Sequence, residues 1–235
     1  MVLLMGIINL TPDSFHEPSR VKPGDVAREA RRIIAAGASI LDLGAVSSRP
    51  GAEEVGVEEE WARLRPALES LRDCGCELSI DTTSSEIVRR AYGIVGRFIV
   101  NDISAGEEDP RMLDTVRGLG LRYVAMHRRG NPRTMDTLCD YPDGVVKEIL
   151  RYFREFSHRA GDIDWMLDPG LGFAKTPAQC WETMRSLERF REFGRPLLVG
   201  YADKRFLSFP PDGVADGPAY ARELSGKADI VRLHL

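Results

Sequence analysis

Residues 165–193 read WMLDPGLGFAKTPAQCWETMRSLERFREF, and the order of residue types in this stretch decides the fold. Trp165–Leu167 is a short apolar run with the look of a buried strand. It runs into Asp168 and a turn that carries Gly170 and Gly172, after which Pro177–Phe193 has a helical pattern. The glycines permit a tight turn and close approach by a ligand. The spacing matches neither GxGxxG nor GK[ST], so it gives little support to a phosphate-cradling loop. One strand, one polar loop and one helix make a unit.

The same unit recurs in both directions along the chain. Val2–Ile8, Ile40–Leu43, Leu78–Ile80, Phe98–Val100, Arg122–Met126, Pro196–Val199 and Asp229–Leu233 read as further strands, each running into Asn, Asp, Gly or His. Between them lie helical patterns over Gly24–Ala36, Val57–Arg72, Ser84–Tyr92, Pro110–Leu119, Gly144–Arg159 and Pro218–Leu224. Strands that are apolar throughout are buried on both faces, as parallel sheets require. Eight such strands alternating with seven helices predict an α/β protein with a closed (β/α)8 (TIM) barrel, formed as a single domain over residues 1–235. Such barrels typically take about 250 residues, so this one is trimmed. Only His234 and Leu235 follow the last strand, leaving no eighth helix, and Phe209–Gly217 is the one irregular insert.

The 235 residues are 43% hydrophobic and 29% charged, with 32 basic and 36 acidic residues giving a net charge of −4. No basic block stands out, which argues against nucleic acid as a partner and leaves room for a small anionic substrate. The apolar run Met1–Leu10 lacks a basic flank and is too short to span a membrane, so no membrane partner is expected. Cys74, Cys76, Cys139 and Cys180 have no zinc spacing and read as reduced thiols of a cytoplasmic protein.

In a parallel barrel the chemistry sits where strands end. Here those ends carry Asn9, Asp42, Asp81, Asn101, His127, Asp168, Lys204, Arg232 and His234. Any one of them could cap a helix, and Asp42 and Asp81 are as readily caps as ligand groups. Gathered at one end, they would be costly to bury without a polar ligand. A flat heterocycle with an amino-amide edge would suit them: Asp168, Asn101 and Asp81 accept, Lys204 donates, and Arg232 lies over the ring. Spacing alone does not identify that ring. The loops of MGIINLTPDSF (Met5–Phe15) and VSSRPG (Val46–Gly51, with Arg49) read either as catalytic lids or as surface turns.

Eight segments in order make the chain resemble the dihydropteroate synthase family over nearly its whole length. They are MGIINLTPDSF, DLGAVSSRPGAEEV (Asp42–Val55), SIDT (Ser79–Thr82), IVNDISA (Ile99–Ala105), AMHRRGNPRTM (Ala125–Met135), LDPGLGFAKT (Leu167–Thr176), LLVGYADKRFL (Leu197–Leu207) and IVRLH (Ile230–His234). The resemblance implies condensation of 6-hydroxymethyl-7,8-dihydropterin pyrophosphate with p-aminobenzoate, with Mg²⁺, to give 7,8-dihydropteroate and pyrophosphate. It implies that Asp81, Asn101, Asp168 and Lys204 hold the pterin edge, that Met126 lines the pocket and that Arg232 stacks on the ring. By the same resemblance Asn9 ligates Mg²⁺, and His234 and Arg232 lie near the pyrophosphate. Phe173 and the Ser47–Ser48–Arg49–Pro50 segment border the p-aminobenzoate site. The catalytic set it implies is Asp81, Lys204, Arg49, Arg232 and His234.

The chain departs from the family pattern at four places. SFHEPSR (Ser14–Arg20) stands after strand one, and Val46 stands where a glutamate is usual. Ala202, Asp203, Lys204 and Arg205 replace a serine-arginine-lysine-serine run, so Arg205 either pairs with the p-aminobenzoate carboxylate or obstructs it. The family's hairpin before strand one and helix after strand eight have no counterpart, which leaves a homodimer open. Two other readings compete with an active synthase: a pterin-binding paralogue with a lost or altered second substrate, and a methyltetrahydrofolate-binding domain serving a corrinoid protein. The basic SSRPG and GNPRTM loops favour the synthase, because pyrophosphate needs cations.

Overall fold

The computed structural model describes residues 2–11, 25–47, 55–131 and 133–235. Among the described residues there are eight strands: β1 (Leu3–Asn9), β2 (Ile40–Gly44), β3 (Glu77–Asp81), β4 (Ile99–Asp102), β5 (Arg122–Met126), β6 (Trp165–Asp168), β7 (Leu198–Gly200) and β8 (Ile230–Leu233). They form one parallel sheet in the order β6-β5-β4-β3-β2-β1-β8-β7. A parallel bridge between Leu167 and Leu197 joins its two ends, so the sheet closes into the expected barrel. Seven α-helices are seen among the described residues: α1 (Val26–Ala35), α2 (Val57–Leu71), α3 (Ser85–Val95), α4 (Met112–Leu119), α5 (Val145–Ala160), α6 (Pro177–Arg185) and α7 (Gly217–Ser225).

Side chains alternate along each strand, so half face the barrel axis and half face the helices. The outward set packs with the helices into a large core that includes Leu41, Leu43, Ile80, Val100, Tyr123 and Leu167. The inward set makes a separate cluster of Met5, Ile40, Ile99, Val124, Met166, Leu198 and Ile230, all essentially buried. Gly6 allows α1 to lie against β1, because a Cβ there would sit 2.2 Å from Ile33 Cγ2.

The helix starts have local causes. Thr176 and Gln179 form a reciprocal capping box at α6, where Pro177 takes the first turn, and the Asp216 side chain caps α7. One expected element divides in two. Pro177–Phe193 reads as a single helix, but the α-helix ends at Arg185 and Leu187–Phe193 is a 3-10 helix. The Ser186 N–H bonds back three residues to Thr183 O, which tightens the turn. Leu187 and Phe190 are three residues apart and buried together, which the three-residue period of a 3-10 helix accommodates.

Candidate active site

Counting two residues on from each inward apolar residue reaches the next ring of inward side chains. From Ile40, Ile99, Val124, Met166 and Ile230 the count arrives at Asp42, Asn101, Met126, Asp168 and Arg232, and β3 supplies Ser79 and then Asp81. Apolar side chains fill one ring of the barrel and ionisable ones crowd the next. Asp42, Asn101, Met126 and Asp168 are buried, and Asp81 and Arg232 reach partly into solvent.

Arg232 ties this ring together. Its Nε donates to Asp42 Oδ2 at 2.6 Å and its terminal nitrogen donates to Asp81 Oδ2 at 2.6 Å. Asp42 also accepts from Ser79 Oγ at 2.6 Å and from Asn101 Nδ2 at 3.2–3.3 Å. With its NH₂ turned to Asp42, Asn101 keeps its carbonyl oxygen available as an acceptor. Burial carries the Asp81 carboxyl up to about 7, against the pull of Arg232 and with the charges of Asp42 and Glu60 adding to the rise. Burial likewise raises Asp168, opposed first by Lys204, and lowers the Lys204 ammonium. These are charged groups short of solvation, so a ligand that supplies complementary N–H and C=O groups relieves them.

The β6–α6 loop stands beside this ring. Asp168 Oδ1 accepts from the Gly170 N–H at 2.8 Å, and Lys204 donates to Leu171 O while its Nζ lies 4.9 Å from the Phe173 ring centroid. Gly170 is obligatory: its φ is +68°, and a Cβ there would meet His127 O at 1.9 Å.

The remaining expected site residues are less concentrated. Asn9 ends β1 in register with Gly44 and is half-buried. His234 follows β8, its Nε2 3.6 Å from Asp203 Oδ2. Ser47 is half-buried in the loop after β2, while Ser48, Arg49 and Pro50 lie outside the described residues. Arg205, expected beside a carboxylate, begins a 3-10 turn (Arg205–Ser208) and is exposed. Asp42, weighed equally as a helix cap, instead faces the barrel interior as the buried base of the cluster. Lys175 carried no functional reading and proves to be buried against His127. The period-two count would have found Asp42 once the inward apolar ring was recognised. No local pattern marks Lys175, because its partners come from another strand end.

Comparison with known proteins agrees with this geometry. The family model for pterin binding enzymes matches residues 5–228. A dihydropteroate synthase of Synechocystis is 37% identical over 98% of this chain and 84% of its own length. Dihydropteroate synthase from Xanthomonas albilineans, solved with 4-aminobenzoic acid, has a TM-score of 0.85 at 34% identity, covering 99% of this chain and 87% of that one. The enzyme from Anaplasma phagocytophilum, solved with bound 6-hydroxymethylpterin-monophosphate, has a TM-score of 0.85 at 26% identity, covering 100% of this chain and 93% of that one. On its sequence and its fold together, the chain belongs to the pterin-binding enzyme family that includes the dihydropteroate synthases.

Proposed function

We propose that the chain is a transferase of folate biosynthesis with dihydropteroate synthase activity. It joins 6-hydroxymethyl-7,8-dihydropterin pyrophosphate to p-aminobenzoate and releases pyrophosphate. The observation that carries this reading is the buried pair Asp168 and Asn101, with half-buried Lys204 near Asp168, beside the Asp42–Arg232–Asp81 cluster. Together they offer acceptors and a donor, the set that a flat edge of alternating N–H and C=O groups requires. The ligands of the Xanthomonas and Anaplasma enzymes supply the two halves of such a substrate pair.

In this reading Asp168 accepts adjacent N–H groups of the pterin, Asn101 accepts through its carbonyl, and Lys204 donates to the ring carbonyl. Arg232 presents its plane to the ring while two carboxylates fix its orientation. The mechanism is dissociative: the carbon–oxygen bond to the pyrophosphate breaks first and leaves a cation on the methylene carbon, the arylamine nitrogen then forms the new carbon–nitrogen bond, and the amine proton passes to the departed pyrophosphate or to solvent. Asp81 in its ionised form stabilises positive charge on the methylene carbon, and Arg232 and His234 neutralise the departing anion. No covalent enzyme nucleophile is needed. Phe173, Ser47, Ser48 and Arg49 border the second substrate, with Arg205 at its exposed rim.

Mg²⁺ would assist departure of the pyrophosphate by neutralising its charge. Among the described residues no group of His, Cys, Asp and Glu is arranged to hold a metal, and Asn9 offers one neutral amide oxygen. That thin donor set suits an ion that arrives with the pyrophosphate and keeps several waters. The four cysteines are free thiols, in keeping with a reducing cytoplasm, where we place the enzyme.

The test is a coupled assay of pyrophosphate release with both substrates and Mg²⁺, run beside calorimetry with pterin alone. Turnover dependent on p-aminobenzoate supports the synthase. Pterin binding without pyrophosphate release would replace it with a pterin-binding paralogue, and absence of both would reject the site.

A further inference from the structure

Lys175 is almost fully buried, yet its ammonium is crowded with partners. Its Nζ lies 2.9 Å from Gly170 O, 3.1 Å from Phe173 O and 2.9 Å from His127 Nδ1, with His127 O at 3.4 Å. The three shortest contacts match the three N–H donors of an ammonium, although burial brings the Lys175 group down to about 7. His127 suits this arrangement, since burial and the neighbouring Lys175 charge hold its imidazole neutral and leave Nδ1 able to accept.

The carbonyls that Lys175 holds belong to the loop that serves the ring of site residues. The Gly170 N–H donates to Asp168 Oδ1, so the peptides around Gly170 set the direction of that carboxylate. Leu171 O receives Lys204, and the Phe173 ring lies under the Lys204 ammonium. Two further contacts anchor the same loop: Tyr141 Oη donates to Ala174 O at 2.9 Å, and Ala174 is held at a φ of +48°. The Gly172 N–H points to Cys180 Sγ at 3.2 Å on α6. The loop therefore lies between two lysines, Lys204 toward the ligand space and Lys175 behind it.

We infer that Lys175, seated on His127, is a positioning residue that fixes the 168–175 loop so that Asp168 and Lys204 meet the pterin edge in one geometry. It acts through the Gly170 and Phe173 peptides and need not touch substrate. A hydrogen bond to a charged group is worth about 1.5–3 kcal/mol, so loosening the Asp168 carboxylate by that amount corresponds to roughly a ten- to hundredfold loss of affinity. A site held 1 Å too loosely by its supporting residues loses function without losing the fold.

This inference rests on the proposed pterin site, and the experiment separates the two. Binding of 6-hydroxymethylpterin is measured by calorimetry for the native chain, Lys175→Met and Lys175→Gln, with thermal unfolding and both steady-state constants recorded for each. Expected is a loss of about ten- to a hundredfold in affinity of folded Lys175→Met, with KM for the pterin substrate rising. Lys175→Gln keeps two N–H donors one bond shorter and should recover part of the loss. If Lys175→Met does not fold, Lys175→Gln against the native chain carries the same comparison. Affinity within about twofold of native in folded Lys175→Met would overturn the inference, as would a lower melting temperature with no change in affinity. Failure of the native chain itself to bind pterin would remove the proposed function and this inference with it.

Discussion

Two adjacent rings of the barrel interior, one residue pair apart on the same strands, have opposite chemistry. The ring of Met5, Ile40, Ile99, Val124, Met166, Leu198 and Ile230 is buried and apolar, and the ring above it holds Asp42, Asp81, Asn101, Asp168 and Arg232. The first ring needs nothing beyond packing. The second holds three carboxylates and a guanidinium in a space of the same shape, which folding alone does not favour. Strand geometry thus separates the work: the apolar ring holds the circle closed, and the charged ring gathers mutually hydrogen-bonded carboxylates, an amide and a guanidinium at the strand ends.

The comparison is tested most severely at Arg232. Arg232→Met leaves Asp42 and Asp81 buried without their shared cation, and breaking a buried pair in this way costs about 3–5 kcal/mol. Denaturant unfolding should show that loss together with loss of pterin binding. Unchanged stability would mean the two carboxylates do not depend on the guanidinium.

Met166→Ala and Asp168→Asn probe one ring each on a single strand. Met166→Ala should lower stability by about 2–5 kcal/mol and leave the pterin dissociation constant of the folded protein unchanged. Asp168→Asn should do the reverse, weakening pterin roughly 30- to 5,000-fold, equivalent to about 2–5 kcal/mol, with little effect on unfolding. If both variants lose stability and affinity alike, the rings do not divide fold from function.

The smallest effect is a slope. Asp81 keeps its proton up to about 7 in the folded chain, whereas an unfolded aspartate releases it near about 4. Between those values the folded state binds more protons, so stability falls as pH rises. The contribution is complete below about 4 and is lost as pH rises through 7. Asp102 and Asp168 are raised by burial and act in the same direction, so Asp81→Asn should flatten the pH dependence of unfolding without abolishing it. An identical slope in the variant would show that Asp81 ionises freely.

Much of this was legible in the sequence, because strand ends and polar residues coincide. WMLD and RYVAM lie where their apolar runs put them, and Asp168, Asn101, Lys204 and Arg232 were marked by position alone. What escaped depends on register or on distant partners. Asp42 reads as readily as a helix cap until strand pairing sets it beside Ser79. Arg232 and Asp81 are 151 positions apart, and Lys175 and His127 are 48 apart, so no local pattern could join them. The break within Pro177–Phe193 was hidden because a run of Leu and Phe three apart suits either kind of helix.

The closure of the barrel is uneven. β1 and β2 stay in register over five residue pairs, while β6 and β7 meet through the single bridge of Leu167 with Leu197 and the bond from Leu167 N to Pro196 O. Pro196 has no amide hydrogen to add to that seam. A ring opens where its circumference is least stitched, so amide exchange should reveal this seam parting first. A circular permutant with new ends between β6 and β7 would lose the covalent tie across that seam, and each parting of the bridge would expose two raw edges, beside Asp168 on one and Gly200 on the other. The unpaired edges would then be free to add strands from other molecules. Continuity of the chain across residues 169–196 thus protects the molecule from its own sheet.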